Sequence, residues 1–249
     1  MTLDFTHETE KALYKAIQDH FRTITVVEYL NNPNLNNVAI IRHDVDRNIA
    51  RALRMASFEK ELGIFTSYYF RYPKTFSPKI IQMIESMGHE IGYHYDNMSK
   101  ANGDPHRAIA LFSQELKEFR KICAIKTISS HGNPLSRFDN RNLWTKYDFR
   151  DFNISGDASL SIKKIPYYSD TGRTWSGRNT VRETNTEFSD SISVETTNDL
   201  IDLIRNNTPK NLYLSIHPER WTDNTFSWIS QYITDTVVSF GKKVIMAFR

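Results

Sequence analysis

Four short polar motifs in this 249-residue chain combine histidine with aspartate, the side chains that bind metals and transfer protons. Each motif follows an apolar stretch that is typical of a strand. In chain order they are RHDVD (42–46), YHYD (93–96), SSHGNP (129–134) and SIHPERW (215–221). Imidazole nitrogens and carboxylate oxygens together suit Zn²⁺ or a similar divalent ion, with one position left open for water. The motifs therefore predict a site for a divalent metal ion.

The elements that carry these motifs alternate between apolar runs and segments of helical period, which is the pattern of β/α units around a parallel sheet. The predicted helices cover residues 8–21, 51–62, 77–88, 105–121, 199–206 and 225–240. The predicted strands cover residues 38–44, 64–70, 89–95, 124–132, 191–195, 211–217 and 242–248, and residues 148–190 are expected to form loops around one or two short strands. We therefore predict one α/β domain over residues 1–249, a distorted β/α barrel of seven or eight strands, with residues 1–37 as a helical lead-in.

Strand ends in a β/α barrel meet on one face, where active sites lie. This face would bring together two aspartates and three histidines, namely Asp44, Asp46, His94, His131 and His217. Taken alone, some of these residues have a structural explanation. Asp46 is a suitable cap for the helix that follows it, and Pro218 after His217 is suited to ending a strand because it has no N–H to donate. Their convergence favours a functional site.

Composition disfavours several other kinds of protein. The net charge is only +3 and the Lys and Arg residues are scattered, so a nucleic-acid partner is not expected. No apolar run approaches the roughly 18 residues of a membrane-spanning helix, and the N-terminus does not resemble a signal peptide, so we expect a cytoplasmic chain. The single cysteine, Cys123, lies in an apolar run and predicts neither a disulfide nor a catalytic thiol. Nothing in the sequence indicates a protein partner.

Through the motifs RHDVD, GHEIGYHYD, SSHGNP and LSIHPERW the chain resembles the polysaccharide deacetylase superfamily, the NodB-homology domain of carbohydrate esterases. The resemblance covers nearly the whole chain and is strongest to a divergent branch associated with surface-polysaccharide biosynthesis. It implies a metal-dependent deacetylase that acts on a carbohydrate, an amino sugar or a glycan precursor. Two features depart from the usual pattern: Val45 separates the paired aspartates, and Met98 stands four residues after His94, where the family has a second histidine.

The resemblance also implies roles for individual residues. With His131 in place of the missing histidine, we expect Asp46, His94 and His131 to bind the metal and Asp44 to act as the base, and an exchange of roles between the aspartates stays open. His217 corresponds to the family's proton donor. Further candidates come from the same resemblance and the same motifs: Asp170 to orient His217, Arg173 to support a carboxylate, and Leu214, Trp175, Tyr95 and Trp221 to contact substrate.

Two alternative functions stay open at this point. The site chemistry does not fix the acyl group, so the chain is also compatible with a hydrolase of another non-peptide C–N bond. The substitution at Met98 keeps open a catalytically inactive, carbohydrate-binding homologue. A glycosidase is disfavoured, because a pair of carboxylates would not require three converging histidines.

Overall fold

A computed structural model describes residues 3–132, 136–176, 194–226, 228–233 and 236. Several sequence predictions fall outside these residues. They are the strand at 242–248, most of the strand at 191–195, part of the helix at 225–240, and Asn133 and Pro134 of the third motif. No helix in the described part of the chain is long and apolar enough to cross a membrane.

The centre of the fold is a curled sheet in which all pairings between described strands are parallel. The strands are β1 (Arg22–Ile24), β2 (Val38–Val45), β3 (Ser67–Phe70), β4 (Glu90–Tyr95), β5 (Thr127–Ser130), β6 (Gly156–Asp157), β7 (Tyr167–Ser169) and β8 (Leu212–Ile216). Their order is β6-β5-β4-β3-β2-β8-β7, and β1 pairs with β2. The predicted distorted β/α barrel is confirmed.

The helices follow the strands as the alternating pattern predicts. They are α1 (His7–His20), α2 (Val26–Asn31), α3 (Ile49–Leu62), α4 (Pro78–Ser86), α5 (Asn97–Lys100), α6 (Pro105–Arg120) and α7 (Thr197–Asn206). Short 3-10 turns lie at Asn140–Thr145, Phe149–Phe152 and Pro218–Arg220. Helix α3 ends where predicted, because Gly63 adopts the left-handed conformation (φ 70°) that glycine reaches without a steric penalty.

Strand β2 shows how the sequence positions the site. Successive side chains of a strand point to opposite faces, and all eight residues of β2 are buried. Ile40 packs in the barrel interior with Tyr69 and Tyr213, whereas Ile41 packs outside, against the helices. Further along, Arg42 points inward like Ile40, and its guanidinium donates to the Tyr213 hydroxyl at 3.1 Å. The barrel interior thus changes from apolar to charged towards the carboxyl end of β2.

Candidate metal centre and active site

Strand register brings three of the predicted motifs to one place. His94 of β4 pairs with Ser129 of β5, and the backbone N–H of His131 donates to the Tyr95 carbonyl oxygen at 2.9 Å. Asp46 follows the last residue of β2 directly. The ends of β2, β4 and β5 therefore place Asp46, His94 and His131 side by side, which is the set that the sequence resemblance implies as metal ligands.

The three side chains form a close triangle of potential ligand atoms. The Asp46 Oδ1 atom lies 3.1 Å from His131 Nδ1 and 3.6 Å from His94 Nε2, and the two nitrogens are 3.3 Å apart. Tetrahedral zinc with bonds of about 2.0 Å would separate its ligand atoms by about 3.3 Å. The spacing and the donor types fit a divalent metal ion of this kind.

The tautomer of His94 is set by its surroundings. Its Nδ1 lies 3.1 Å from the Ser129 carbonyl oxygen, which can only accept a hydrogen bond, so Nδ1 carries the proton. The Nε2 lone pair then faces Asp46 and His131, as in metal-binding histidines held by an outer hydrogen bond. Burial lowers the pKa of His94 to about 4, against the opposing effect of Asp44 and Asp46. The ring is therefore neutral at pH 7 and able to bind a metal.

Asp46 supplies the negative charge of the triangle. Burial favours its protonated form, but His131 and His94 outweigh this effect and hold the pKa of Asp46 well below its ordinary value. Its Oδ1 atom is buried and makes no aligned hydrogen bond with any described residue. Buried polar atoms are normally paired, and a bound cation would supply the partner that this oxygen lacks.

Asp44 lies beside the triangle with a different set of partners. The hydroxyls of Ser129 and Ser215 donate to its two oxygens, each at 3.3 Å, and Arg42 Nη2 lies 3.3 Å from Oδ2. Burial raises the pKa of Asp44, but Arg42 and His94 outweigh it, so the net shift is downward. Asp44 is therefore an ionised, firmly held carboxylate next to the candidate metal site.

His217 and Asp170 form a second charged group of the site. The Nδ1–H of His217 donates to Asp170 Oδ1 at 2.6 Å, and the His217 backbone N–H donates to Oδ2 at 2.9 Å. Burial favours a neutral ring, but Asp170 outweighs this and raises the pKa of His217 to about 9. Burial likewise disfavours the charged form of Asp170, yet Arg220 and His217 lower its pKa to about 2. At neutral pH the pair is an imidazolium on a carboxylate.

Sequence reasoning missed Arg220 as a member of this group. Its Nη1 donates to Asp170 Oδ1 at 2.7 Å, and the Trp221 indole N–H donates to Oδ2 at 3.0 Å. Residues three apart in a 3-10 turn lie on the same side, so a 3-10 turn after His217 was the signal that could have identified Arg220. The guanidinium on Asp170 thus comes from the same motif as His217.

The Arg173 side chain contacts a backbone carbonyl and an aromatic ring. Its side chain donates to the Arg220 carbonyl oxygen at 3.2 Å, and its guanidinium lies over the Trp228 ring, 4.8 Å from the centroid. Its backbone N–H donates to the Asp170 carbonyl oxygen at 3.0 Å. Support of a carboxylate by the Arg173 side chain stays a prediction.

The candidate substrate contacts are fully buried side chains. Their exposed fraction is at most 1%, and they are Tyr95, Trp175, Leu214 and Trp221. The Tyr95 hydroxyl donates to Asp157 at 2.6 Å, and the Trp175 indole N–H donates to the Thr197 hydroxyl at 3.1 Å. A role in substrate contact for these four residues stays a prediction.

Met98 is buried in the apolar cluster that also contains Phe112 of α6. It follows β4 on the short helix α5, so the departure from the family pattern at this position has a structural explanation. An apolar side chain fills the core there. The imidazole of His131 lies at the next strand end, close to His94 and Asp46.

Comparison with known proteins returns solved structures of carbohydrate esterases. The chain is similar to an esterase of family 4 from Streptococcus mutans, at 10% identity over 91% of this chain and 90% of that chain, with a TM-score of 0.48. It is also similar to a mutant of the peptidoglycan deacetylase PdaC from Bacillus subtilis, at 11% identity over 84% and 87% of the chains, with a TM-score of 0.47. A family 4 pseudoenzyme from Bacillus anthracis matches at 13% identity over 79% of this chain, with a TM-score of 0.44, and this chain covers 59% of its length.

No protein-family model matches the chain, and no curated protein does. The matched structures include esterases and a deacetylase. At these identities and TM-scores they carry no argument about what this chain does. Its function has to be inferred from its own residues.

Proposed function

We propose that this protein is a metal-dependent hydrolase that removes an N-acetyl or related acyl group from an amino sugar or glycan precursor. One observation carries the proposal: the ligand-type atoms of Asp46, His94 and His131 lie 3.1 to 3.6 Å apart, on the barrel face that also holds His217. The motif resemblance supplies the carbohydrate substrate class. The same chemistry applies to other non-peptide C–N bonds, so the identity of the acyl group is part of the test.

Asp46, His94 and His131 would hold the metal ion, and their two nitrogens and one oxygen favour Zn²⁺. When bound, such an ion supplies positive charge that polarises the acyl oxygen and makes water a stronger nucleophile near neutral pH. The neutral state of His94 and the ionised state of Asp46 are the protonation states that metal binding requires.

The remaining residues transfer protons. Asp44 is ionised and takes the proton of the attacking water as the oxygen adds to the acyl carbon. The imidazolium of His217 gives its proton to the amine nitrogen as the C–N bond breaks, and Asp170 stabilises the charged ring before that step. The products are a carboxylic acid, acetate for an N-acetyl group, and a free amine.

The test compares two substrates in the zinc-loaded protein. Wild type should release acetate from an N-acetylated amino-sugar oligomer and should also cleave an activated aryl acetate. The variant His217→Ala should lose amide cleavage by roughly a hundredfold or more, because an amine is a poor leaving group without a proton. It should retain most of the ester cleavage, whose leaving group needs no proton.

A matched control is His106→Ala, which removes an exposed histidine outside the site and should leave both rates unchanged. Equal losses of amide and ester cleavage in His217→Ala would contradict the acid role. Failure of zinc-loaded wild type to release a carboxylic acid from any N-acylated amino sugar would contradict the proposed function.

A further inference from the structure

A row of alternating charges leads away from Asp46 towards the outside of the barrel. Arg71 Nη1 lies 3.7 Å from Asp46 Oδ1, and Arg71 Nη2 donates to Asp96 Oδ2 at 2.6 Å. Lys100 Nζ then lies 2.7 Å from Asp96 Oδ1 and 3.0 Å from Glu115 Oε2. We call Asp46, Arg71, Asp96, Lys100 and Glu115 the charge row.

The backbone around Arg71 is tied to the strand that ends at Asp46. Arg71 follows the last residue of β3, and its backbone N–H donates to the Thr75 hydroxyl oxygen at 2.8 Å. The Thr75 hydroxyl in turn donates to the Val45 carbonyl oxygen at 3.0 Å. Val45 directly precedes Asp46, so the Thr75 hydroxyl ties the backbone at Arg71 to the backbone beside Asp46.

The other partner of Arg71 comes from the histidine strand. Asp96 lies two residues after His94, directly beyond the end of β4. Arg71, at the end of β3, therefore lies between Asp46 beyond the end of β2 and Asp96 beyond the end of β4, the strand that carries His94. The sequence motifs did not assign a role to either member of this pair.

The pair is too buried to be an ordinary surface ion pair. The side chains of Arg71 and Asp96 are 12% and 7% exposed, whereas Lys100 at the outer end of the row is 26% exposed. Exposed pairs contribute little, but removing one member of a buried pair leaves an uncompensated charge and is strongly disruptive. Arg71 has two anionic neighbours in the row, and one of them is the candidate metal ligand.

We propose that Arg71, held in place by Asp96, is a positioning residue that keeps Asp46 Oδ1 directed at His94 and His131. This inference rests on the proposed function, because it concerns the geometry of the metal site. Partners that orient a metal ligand typically change metal affinity by about 10- to 100-fold when they are removed. The positive charge of Arg71 by itself would weaken cation binding, so a positioning role and a purely electrostatic one predict opposite effects of its removal.

The experiment measures Zn²⁺ affinity by competition with a fluorescent chelator, without any activity assay. Arg71→Met should weaken binding by about 10- to 100-fold, and Asp96→Asn should weaken it in the same direction because Arg71 loses its anchor. The double variant should lose much less Zn²⁺ affinity than the product of the two single fold-losses, as expected when both residues act through Asp46. Arg71→Lys should recover part of the affinity, since lysine retains the positive charge but lacks the planar guanidinium with its several N–H donors.

Lys100→Met is the matched control, because it removes a cation from the outer end of the same row. It should change the affinity by less than about threefold, since Lys100 contacts Asp96 but not Asp46. Circular dichroism of the chelator-treated proteins confirms that each variant is folded, and Asp96→Asn serves as the test if Arg71→Met does not fold. Equal or tighter binding in a folded Arg71→Met variant would overturn the inference alone, whereas a wild type that binds no Zn²⁺ would overturn the proposed function.

Discussion

Asp44 and Asp46 are close in sequence but have different neighbours, and this difference predicts different phenotypes. Asp44 is held by two serine hydroxyls and Arg42, whereas Asp46 Oδ1 faces two histidines. Asp44→Asn should therefore retain the metal and lose at least roughly a hundredfold in amide cleavage, the lower range for a general base. Asp46→Asn should lose the metal itself.

Metal content after gel filtration and the rate of acetate release measure the two effects separately. Asp202→Asn is the control for both, because it changes an exposed aspartate of α7. If Asp44→Asn loses the metal and Asp46→Asn retains it, the two aspartates exchange roles. If both variants retain full activity, neither belongs to the site.

Deprotonation of His217 should cause the loss of activity at high pH. Asp170 raises the pKa of His217 to about 9, so the ring is protonated below that pH and loses its proton as the pH rises through it. The rate constant kcat for amide cleavage should fall above about pH 9. Asp170→Asn removes the anion that favours the charged ring, so this fall should shift to lower pH. An unchanged pH profile in Asp170→Asn would contradict the role of Asp170.

The sequence predicted that Asp46, His94 and His131 lie close together, but it did not predict the arginines beside the site. Asp46, His94 and His131 lie at strand ends, and strand ends converge by a rule that needs no coordinates. Arg71 reaches Asp46 through a side-chain conformation that neither spacing nor periodicity specifies, and Arg220 reaches Asp170 through the 3-10 turn that follows His217. The burial of Trp175 and Trp221 likewise depends on packing with Phe5 from the start of the chain.

The buried carboxylate of Glu59 fixes helix α3 to strand β2. Glu59 accepts hydrogen bonds from the hydroxyls of Tyr14, Thr66 and Tyr68 at 2.6 to 2.8 Å, and its Oε1 lies 2.7 Å from His43 Nε2. Burial opposes its charge, but His43 and these partners lower the pKa of Glu59 from 4.5 to about 2. Because His43 precedes Asp44 on β2, this contact also fixes the strand that carries the candidate base.

Glu59→Gln should lower the free energy of unfolding by about 3 kcal/mol at pH 7, the magnitude that corresponds to such a pKa shift. A lowered carboxyl pKa stabilises the fold above the unfolded-state value, and this stabilisation is lost as the pH falls from about 4.5 towards 2. The difference from wild type should therefore shrink below pH 4.5. Urea unfolding measures it, with Glu61→Gln, an exposed change on the same helix, as the control. Equal stability of the two variants would contradict this account.

The predictability of an element depended on its length. The predicted strands at 38–44 and 89–95 and the helices at 51–62 and 105–121 are long enough to show their period, and the structure contains them. Strand β1 has three residues and helix α2 has six, too few for a periodic pattern, so residues 1–37 were predicted as a helical lead-in only. Elements this short depend on tertiary contacts, and β1 obtains them by pairing with β2.

In the molecule as a whole, we expect metal binding and folding to be linked. The three candidate ligand residues come from separate strand ends, so they are close together only in the folded chain. A ligand that binds only the folded state stabilises it, by about 2.7 kcal/mol at a concentration one hundred times its Kd. The melting temperature of the chelator-treated protein should therefore rise with added Zn²⁺.

The most direct test of the metal site is a calorimetric titration of chelator-treated wild type with Zn²⁺, followed by thermal unfolding of the same samples. We expect saturation near one equivalent together with a higher melting temperature. His131→Ala should lose both effects, because it removes one corner of the ligand triangle, whereas His106→Ala should retain both. Wild type that binds no Zn²⁺, or His131→Ala that binds it as wild type does, would contradict the assignment of Asp46, His94 and His131 as the metal site.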